Sequence, residues 1–345
     1  MNQFHRLQID SVVPLTSDSV KISFAIPPEL KTDYSFVAGQ YLSLKTTING
    51  ETVIRDYSIC SSPSSGELSV GIKRLNGGIF SGFAQSLKVG EILEVITPQG
   101  RFVLEQNIQT FVGIAAGSGI TPIMSLLQHF LEHSTGEAHL IYGNKTPEDS
   151  MFVMALKTLK NTHRDRLHLH WIYSRIEMPE AGFGRINAAK IESFLKEFPL
   201  QVGRGHFYLC GPNDMVQEIK GKLTALGHPE SNIRYELFFV PTEASDGKTV
   251  SEGKTNITLV LDGESVEFEM NRNQFVLDAA LAKDLDAPYS CKGGVCSSCI
   301  AKVTEGSVEM AQNNVLTDAD LKSGYVLTCQ SRPTSASLTV DYDDV

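Results

Sequence analysis

Along residues 1–105 the chain alternates apolar and polar positions in short runs broken by turn residues. Val20–Ile26, Gln40–Thr46, Glu67–Lys73 and Ile92–Thr97 predict strands, with Gly39, Gly50, Gly66, Gly90 and Gly100 between or beside them. Strands at this spacing predict a small antiparallel β-barrel. Ile79, Phe80, Phe83 and Leu87 share one face of a short helix. From residue 106 to 240 the pattern changes. Apolar strands at Phe111–Ala115, His139–Tyr142, Leu167–Tyr173 and His206–Cys210 alternate with helices at Pro122–His133, Met151–Thr162, Ala188–Phe198 and Asn213–Leu226. That alternation predicts an α/β domain built on a parallel sheet. Pro122 suits the first turn of its helix, where a missing N–H costs nothing.

Residues 241–254, PTEASDGKTVSEGK, carry no apolar period and predict a flexible linker. Beyond it, Asn256–Leu261 and Glu264–Met270 predict a hairpin turning at Asp262-Gly263. A helix at Val276–Lys283, a strand at Ile300–Val303, a helical turn around Asp320 and a closing strand at Ser337–Tyr342 complete the pattern. The chain thus divides into 1–105, 106–240, a linker at 241–254, and 255–345.

Composition adds exclusions. The chain has 345 residues, 41% hydrophobic and 20% charged, ordinary for a globular protein. No run approaches the roughly 18–20 apolar residues of a membrane span, and MNQFHRLQID has no signal-peptide core. The expected location is the cytoplasm. Net charge is −10, and residues 254–345 hold 14 Asp and Glu against 7 Lys and Arg. This excess argues against nucleic acid and suits either steering toward a basic protein partner or plain solubility.

Ser290–Cys299, SCKGGVCSSC, changes the picture most. Cys291, Cys296 and Cys299 follow C-x4-C-x2-C, and Cys329 comes after a gap of 29 residues. Four thiolates at this spacing are the plant-type ligand pattern for a [2Fe–2S] cluster. Gly293 and Gly294 let the loop fold tightly and turn backbone N–H groups toward sulfur. A structural zinc site or disulfides are the other readings, but zinc sites usually use two short Cys pairs. Cys60 and Cys210 remain, free thiols in a reducing compartment.

Three further motifs carry chemistry. Arg55-Asp56-Tyr57-Ser58 offers a guanidinium fork for a pyrophosphate and an aromatic face, although alone it reads as a surface strand end. Gly77-Gly78-Ile79-Phe80-Ser81 opens a helix whose first N–H groups suit phosphate. Gly113-Ile114-Ala115-Ala116-Gly117-Ser118-Gly119-Ile120-Thr121-Pro122 is a glycine-rich strand-to-helix loop, a pyrophosphate cradle without the G-x-G-x-x-G spacing. Cys210-Gly211-Pro212 stands at a strand's C-terminal end, where α/β sheets bind ligands.

Together these motifs resemble the ferredoxin–NADP reductase superfamily: R-x-Y-S and G-x-x-S in a flavin barrel, with P-x-G-x-F at Pro98–Phe102; then GxGITP, CGP, and E-x-F at Glu236-Leu237-Phe238. The resemblance implies FAD, with Arg55 and Ser81 on its pyrophosphate, backbone N–H groups from Gly78, Ile79 and Phe80, and Tyr57 and Ser58 along the isoalloxazine. It places Phe238 or Phe239 over the ring. It implies a nicotinamide nucleotide along Gly117, Gly119, Cys210, Gly211 and Pro212, with Thr121 near both flavin and nicotinamide and Cys210 near nicotinamide C4. Thr121 and Cys210 would therefore flank hydride transfer. Ser174-Arg175 would suit the 2′-phosphate of NADPH, and the nearby Glu177 leaves NADH open. Residues 255–345 resemble the plant-type ferredoxin β-grasp domain.

The order of barrel, nucleotide domain and C-terminal ferredoxin resembles reductase components of multicomponent oxygenases, nearest the phenylacetyl-CoA epoxidase group. It implies an NAD(P)H-dependent oxidoreductase feeding an oxygenase or hydroxylase protein. The reductase of a Rieske-type ring hydroxylase, desaturase or steroid hydroxylase is the alternative within enzymes. A non-catalytic redox sensor is the alternative outside them.

Overall fold

The computed structural model of the protein describes residues 4–200, 202–238, 253–289 and 291–345. They form two compact units, one ending at Phe238 and one following it. The linker expected at 241–254 lies outside the described residues, apart from Gly253 and Lys254, the latter opening a strand.

The first unit begins with β1 (Phe4–Thr16), where Leu7 and Ile9 are buried between exposed Arg6, Gln8 and Asp10. The chain continues through β2 (Ser19–Ala25), β3 (Tyr41–Ile48), β4 (Glu51–Ser58) and β5 (Leu68–Lys73), then helix α1 (Ile79–Ala84) and β6 (Ile92–Ile96). These strands pair antiparallel in the order β4-β3-β6-β1-β2-β5. The sheet's edges meet where Ile59 bridges Val70, giving the expected barrel. Its interior packs Leu7, Ile22, Leu42, Leu44, Val70 and Phe80. The predicted helix at residues 79–87 is shorter than its apolar stripe suggested.

The α/β part follows. Its strands are β7 (Thr110–Ala116), β8 (Glu137–Asn144), β9 (Leu167–Tyr173), β10 (Gly182–Phe183), β11 (Gly205–Gly211) and β12 (Ile233–Leu237). Between them lie α2 (Ile120–His133), α3 (Val153–Thr162), α4 (Ala188–Glu197) and α5 (Asn213–Ala225). Sheet order is β10-β9-β8-β7-β11-β12, with every pairing parallel. Strands are added on one side of β7 through β10, and the chain then crosses to β11 on the other side. The strand order thus reverses between β7 and β11, and the C-terminal ends of strands at such a reversal are where α/β sheets form a ligand crevice. The glycine-rich loop and Cys210-Gly211-Pro212 both sit there.

Helix α2 begins at Ile120, two residues before the expected Pro122, after a tight turn at Gly117–Gly119. Pro122 still falls in the first turn, where its missing N–H breaks no intrahelical bond. In α4 the Asn187 side chain caps the helix, accepting from Lys190 N at 3.0 Å, a contact worth about 1 kcal/mol.

The second unit holds β13 (Lys254–Leu261), β14 (Glu264–Asn271), α6 (Val276–Leu281), β15 (Ile300–Glu305), β16 (Val308–Met310), α7 (Asp318–Lys322), β17 (Tyr325–Leu327), β18 (Ser331–Pro333) and β19 (Ser337–Asp341). The main sheet runs β14-β13-β19-β15-β17, with β13 and β19 parallel and the other pairs antiparallel. Asp262 and Gly263 both take positive φ (54° and 77°), as a tight hairpin requires. The Asp343 carboxylate accepts from both their N–H groups, at 2.9 and 2.8 Å. Among the described residues no helix is long and apolar enough to cross a membrane.

Candidate functional site

At the crevice between β7 and β11 the two loops touch. A Cβ on Gly119 would lie 2.2 Å from the Cys210 carbonyl oxygen, so only glycine lets the β7 loop rest on β11 there. Gly117 takes φ +56°, with nothing within 4 Å of the Cβ it lacks. Its carbonyl accepts a hydrogen bond from the Tyr142 hydroxyl at 3.1 Å, and that hydroxyl also accepts from Met151 N at 3.2 Å. Tyr142, at the end of β8, therefore sets the loop's position. The motif reading had not singled it out, because its role depends on β8 lying beside β7.

Thr121 joins the crevice to the barrel. Its methyl group sits against Gly71 of β5, where a Cβ would come within 2.7 Å. Its hydroxyl donates to Ser118 O at 3.0 Å. Across the crevice, parallel register sets Cys210 beside Glu236 of β12. Ser58, at the end of β4, donates to Glu236 Oε2 at 3.0 Å. Ser58, Cys210 and Glu236 thus converge from barrel and sheet. Burial pushes Cys210 well above the usual thiol range, reinforced by Glu236. Burial also raises Glu236 from 4.5 to about 8, with nearby Asp56 adding to it and the Ser58 hydrogen bond opposing it.

Glu236 therefore holds a proton at neutral pH. Its folded pKa lies above its unfolded one, so its contribution to stability is intact below about pH 4.5 and declines as pH rises through about 8. Glu236→Gln keeps the shape and removes the titration. It is expected to melt close to the wild type at pH 5 and above it at pH 9, by an amount on the order of 1.4 kcal/mol per unit of pKa shift. Thermal melts at the two pH values check this, and equal melting temperatures at pH 9 would contradict it.

On the barrel, the Tyr57 and Phe80 rings lie 5.4 Å apart. Burial raises the Tyr57 phenol far above its usual range. Arg55 is exposed on the same strand, with Nη1 donating to Ile54 O at 2.6 Å. Ser81 is buried and closes the turn before α1, accepting from Leu75 N at 3.1 Å and donating to Gly78 O at 3.3 Å. A Cβ on Gly78 would lie 2.4 Å from Ser81 Oγ, so that turn needs glycine. Ile79 is exposed, and Phe80 points into the barrel core. Phe238 is 36% exposed, while Phe239 lies outside the described residues. Ser174 and exposed Arg175 follow β9, tied through their N–H groups to Asn144 O and Lys145 O. Gly211 is buried and exposed Pro212 precedes α5.

The second unit gathers its four cysteines. Cys296 Sγ lies 3.1 Å from Cys291 Sγ, and Cys291 and Cys299 both reach Cys329. All four are free thiols. The Gly293 N–H donates to Cys291 Sγ at 3.3 Å, as its place in the loop predicted, and Val295 adds a second N–H. Gly294 has φ +70° and packs against Gln312 O and Gln330. From behind, Tyr342 donates to Thr328 Oγ1 (2.8 Å), which donates to Cys299 O (3.0 Å). Four converging thiols with N–H donors aimed at sulfur fit a cluster that needs four thiolates.

Comparison with known proteins decides the lineage. Residues 6–104 match the oxidoreductase FAD-binding domain, 114–221 the oxidoreductase NAD-binding domain, and 259–334 the 2Fe-2S iron-sulfur cluster binding domain. The chain is 38% identical to one component of the 1,2-phenylacetyl-CoA epoxidase of Escherichia coli (strain K12), covering 99% of each. The chain belongs to the ferredoxin–NADP reductase superfamily, in the group with a C-terminal plant-type ferredoxin domain. This reductase is also 32% identical to the ferredoxin reductase component of 3-ketosteroid-9-alpha-monooxygenase from Rhodococcus rhodochrous, over 97% of the chain and 96% of the relative. Its fold matches phthalate dioxygenase reductase at TM-score 0.63 and 24% identity, covering 98% of both chains. The reductase is thus an NAD(P)H-dependent oxidoreductase that uses FAD, a pyridine nucleotide and a [2Fe–2S] cluster.

Proposed function

We propose that this reductase draws electrons from NADPH and delivers them, by way of FAD and the cluster, to an oxygenase component of the phenylacetyl-CoA epoxidase type. The supporting observation is similarity running end to end through all three segments to a component of that epoxidase. FAD, when bound, would supply a carrier that can take two electrons at once and give them up singly. The protein's part is placement. Arg55 and Ser81 would hold the FAD pyrophosphate with the N–H groups of Ile79 and Phe80, while the Gly78 N–H donates to Leu75 O at 3.0 Å and shapes the turn before them. Tyr57 and Ser58 would lie along the isoalloxazine, with Phe238 covering it. Gly117, Gly119 and Thr121 cradle the nucleotide, while Cys210, Gly211 and Pro212 border the nicotinamide. Cys210 and Glu236, both buried, keep that end dry and uncharged at neutral pH. Cys291, Cys296, Cys299 and Cys329 ligate the cluster. The cytoplasm suits the free thiols.

NADPH rather than NADH rests on Ser174 and Arg175. An exposed guanidinium after β9 would suit a 2′-phosphate, and a hydrogen bond to a charged group is worth about 1.5–3 kcal/mol. Arg175→Ala is therefore expected to raise the KM for NADPH about tenfold or more and leave that for NADH nearly unchanged. Steady-state kinetics with both nucleotides check this, and a parallel rise for the two would contradict it.

The partner is tested by reconstitution. The reductase is mixed with the oxygenase components of phenylacetyl-CoA epoxidase, NADPH, oxygen and phenylacetyl-CoA. Epoxide formed in step with NADPH consumed is the expected result. NADPH consumption coupled instead to a steroid oxygenase would favour the second reading, which the similarity to the ketosteroid monooxygenase reductase supports.

A further inference from the structure

At the other end of the parallel sheet, away from the crevice, four titratable side chains share one face. Glu137 and His139 are two apart at the start of β8, and His168 and His170 are two apart at the start of β9. Strand alternation puts each pair on one face, and parallel register sets His139 directly beside His168. Phe194 of α4 and the following Phe198 pack on the cluster, their rings 5.3 and 5.0 Å from that of His139. The site opens to solvent only at its edge. His139 is 1% exposed, His168 30% and Glu137 49% at the side chain.

We propose that Glu137, His139 and His168 form a metal site for one zinc-class divalent ion, with His170 supporting it. One ligand atom from each of the three lies within 4.8 Å of the others. Glu137 Oε1 is 2.8 Å from His168 Nε2 and 3.6 Å from His139 Nε2. Tetrahedral ligands bonded at about 2.0–2.1 Å stand roughly 3.3–3.4 Å apart, so the carboxylate oxygen is slightly too near one imidazole nitrogen and slightly too far from the other. Despite its closeness to the carboxylate, His168 Nε2 is buried and makes no aligned hydrogen bond. An ion would satisfy it. His139 Nδ1 lies 3.3 Å from His170 Nε2, the kind of partner that fixes a ligating imidazole's tautomer and leaves Nε2 to face the metal.

The His139 and His168 rings are nearly parallel, 4.8 Å apart. Binding thus calls for a turn of the partly exposed His168 ring about its broad χ2 torsion. Oxygen and imidazole donors suit zinc among the common divalent ions. The ion would tie β8 to β9 beneath α4, remote from the nucleotide crevice, and so act on stability rather than on hydride transfer.

The test uses holoprotein with flavin and cluster intact by absorbance, so that the four cluster cysteines are occupied. Stripped over a chelating resin, it is titrated calorimetrically with zinc chloride, and its metal content is measured after dialysis. One zinc per chain beyond the cluster iron is expected, with a rise in melting temperature. His168→Gln and Glu137→Gln, at the more exposed positions, should lose that zinc. His170→Gln should weaken binding by roughly 10- to 100-fold. His129 and His133, with Glu132, form a second histidine-carboxylate group on α2, so the double variant His129→Gln/His133→Gln is the control and should keep its zinc. The proposal is overturned if the wild type binds no stoichiometric zinc, if zinc survives in both His168→Gln and Glu137→Gln, or if it is lost in the α2 control alone.

Discussion

Replacing Cys291 by serine is expected to separate the two halves of the electron path. NADPH should still bleach the flavin, because the site that serves that step lies wholly in the unit ending at Phe238. Electron delivery to a one-electron protein acceptor should collapse. Cys291 sits where the hydrogen-bond network of the loop converges, reached by Cys296, Cys329 and the N–H groups of Gly293 and Val295. A serine hydroxyl is a poor substitute for thiolate as an iron ligand, and the remaining three sulfurs leave one position unfilled. Losing a ligand should exceed the roughly 10- to 100-fold that removing a supporting partner costs a metal site. Cys291 is only partly buried, whereas Cys299 and Cys329 are in the core of this unit, so the serine variant is the one expected to fold. Iron content, the low-temperature EPR signal of the reduced protein and cytochrome c reduction report the outcome. A variant that kept all three near wild type would show that Cys291 is not a ligand.

Gly119→Ala should slow flavin reduction sharply, because one methyl group there collides with backbone. The added Cβ would meet the Cys210 carbonyl at 2.2 Å and the peptide nitrogen of Gly211 at 2.9 Å. Both are backbone atoms of a central strand and cannot swing aside. The β7 loop must then lift from β11, carrying Thr121 away from Gly71 and widening the gap to Cys210. A misplacement near 1 Å can cost on the order of 100-fold in rate. Stopped-flow flavin reduction by NADPH should slow by about that factor, while the cluster unit, which does not include this loop, keeps its spectrum. Gly117→Ala is the useful contrast. Gly117 has open space where its Cβ would go, so within the protein it meets only the strain of a left-handed φ, about 1 kcal/mol, and any further cost should fall on the KM for NADPH rather than on the limiting rate. Similar rates for the two variants would mean that loop packing on β11 does not position the reacting groups.

Much of this fold was legible from local pattern. Leu167–Tyr173 and Ile79 as a helix start were placed where the structure has them, because each combines a run of apolar residues with clear punctuation. The gathering of Cys291, Cys296, Cys299 and Cys329 was legible for a different reason: three share one tightly spaced loop, and the fourth completes a spacing whose chemistry needs all four together. What escaped was set by neighbours in space. The first barrel strand spans 13 residues and includes Pro14, a residue tolerated where the ladder is irregular, and the register does shift between Pro14 and Thr16. β12 was visible only as the end of a motif, so Glu236 was not counted among site residues. Its role appears once parallel register sets it against Cys210 and the barrel brings Ser58 to it. The histidine cluster was not read from the sequence at all, because nothing local reveals that Glu137 and His139 lie on the strand beside His168 and His170.

The central claim is that one chain carries electrons from a nicotinamide to an iron–sulfur cluster through flavin. Its most direct test is an anaerobic titration of holoprotein with NADPH, and separately with NADH, followed by absorbance and low-temperature EPR. The account predicts that NADPH bleaches the flavin bands and brings up a one-electron rhombic signal from the cluster at substoichiometric nucleotide. The same response to NADH alone would leave the path standing and overturn the assignment of Ser174 and Arg175. Flavin reduction with no cluster signal at any nucleotide concentration would contradict the path itself.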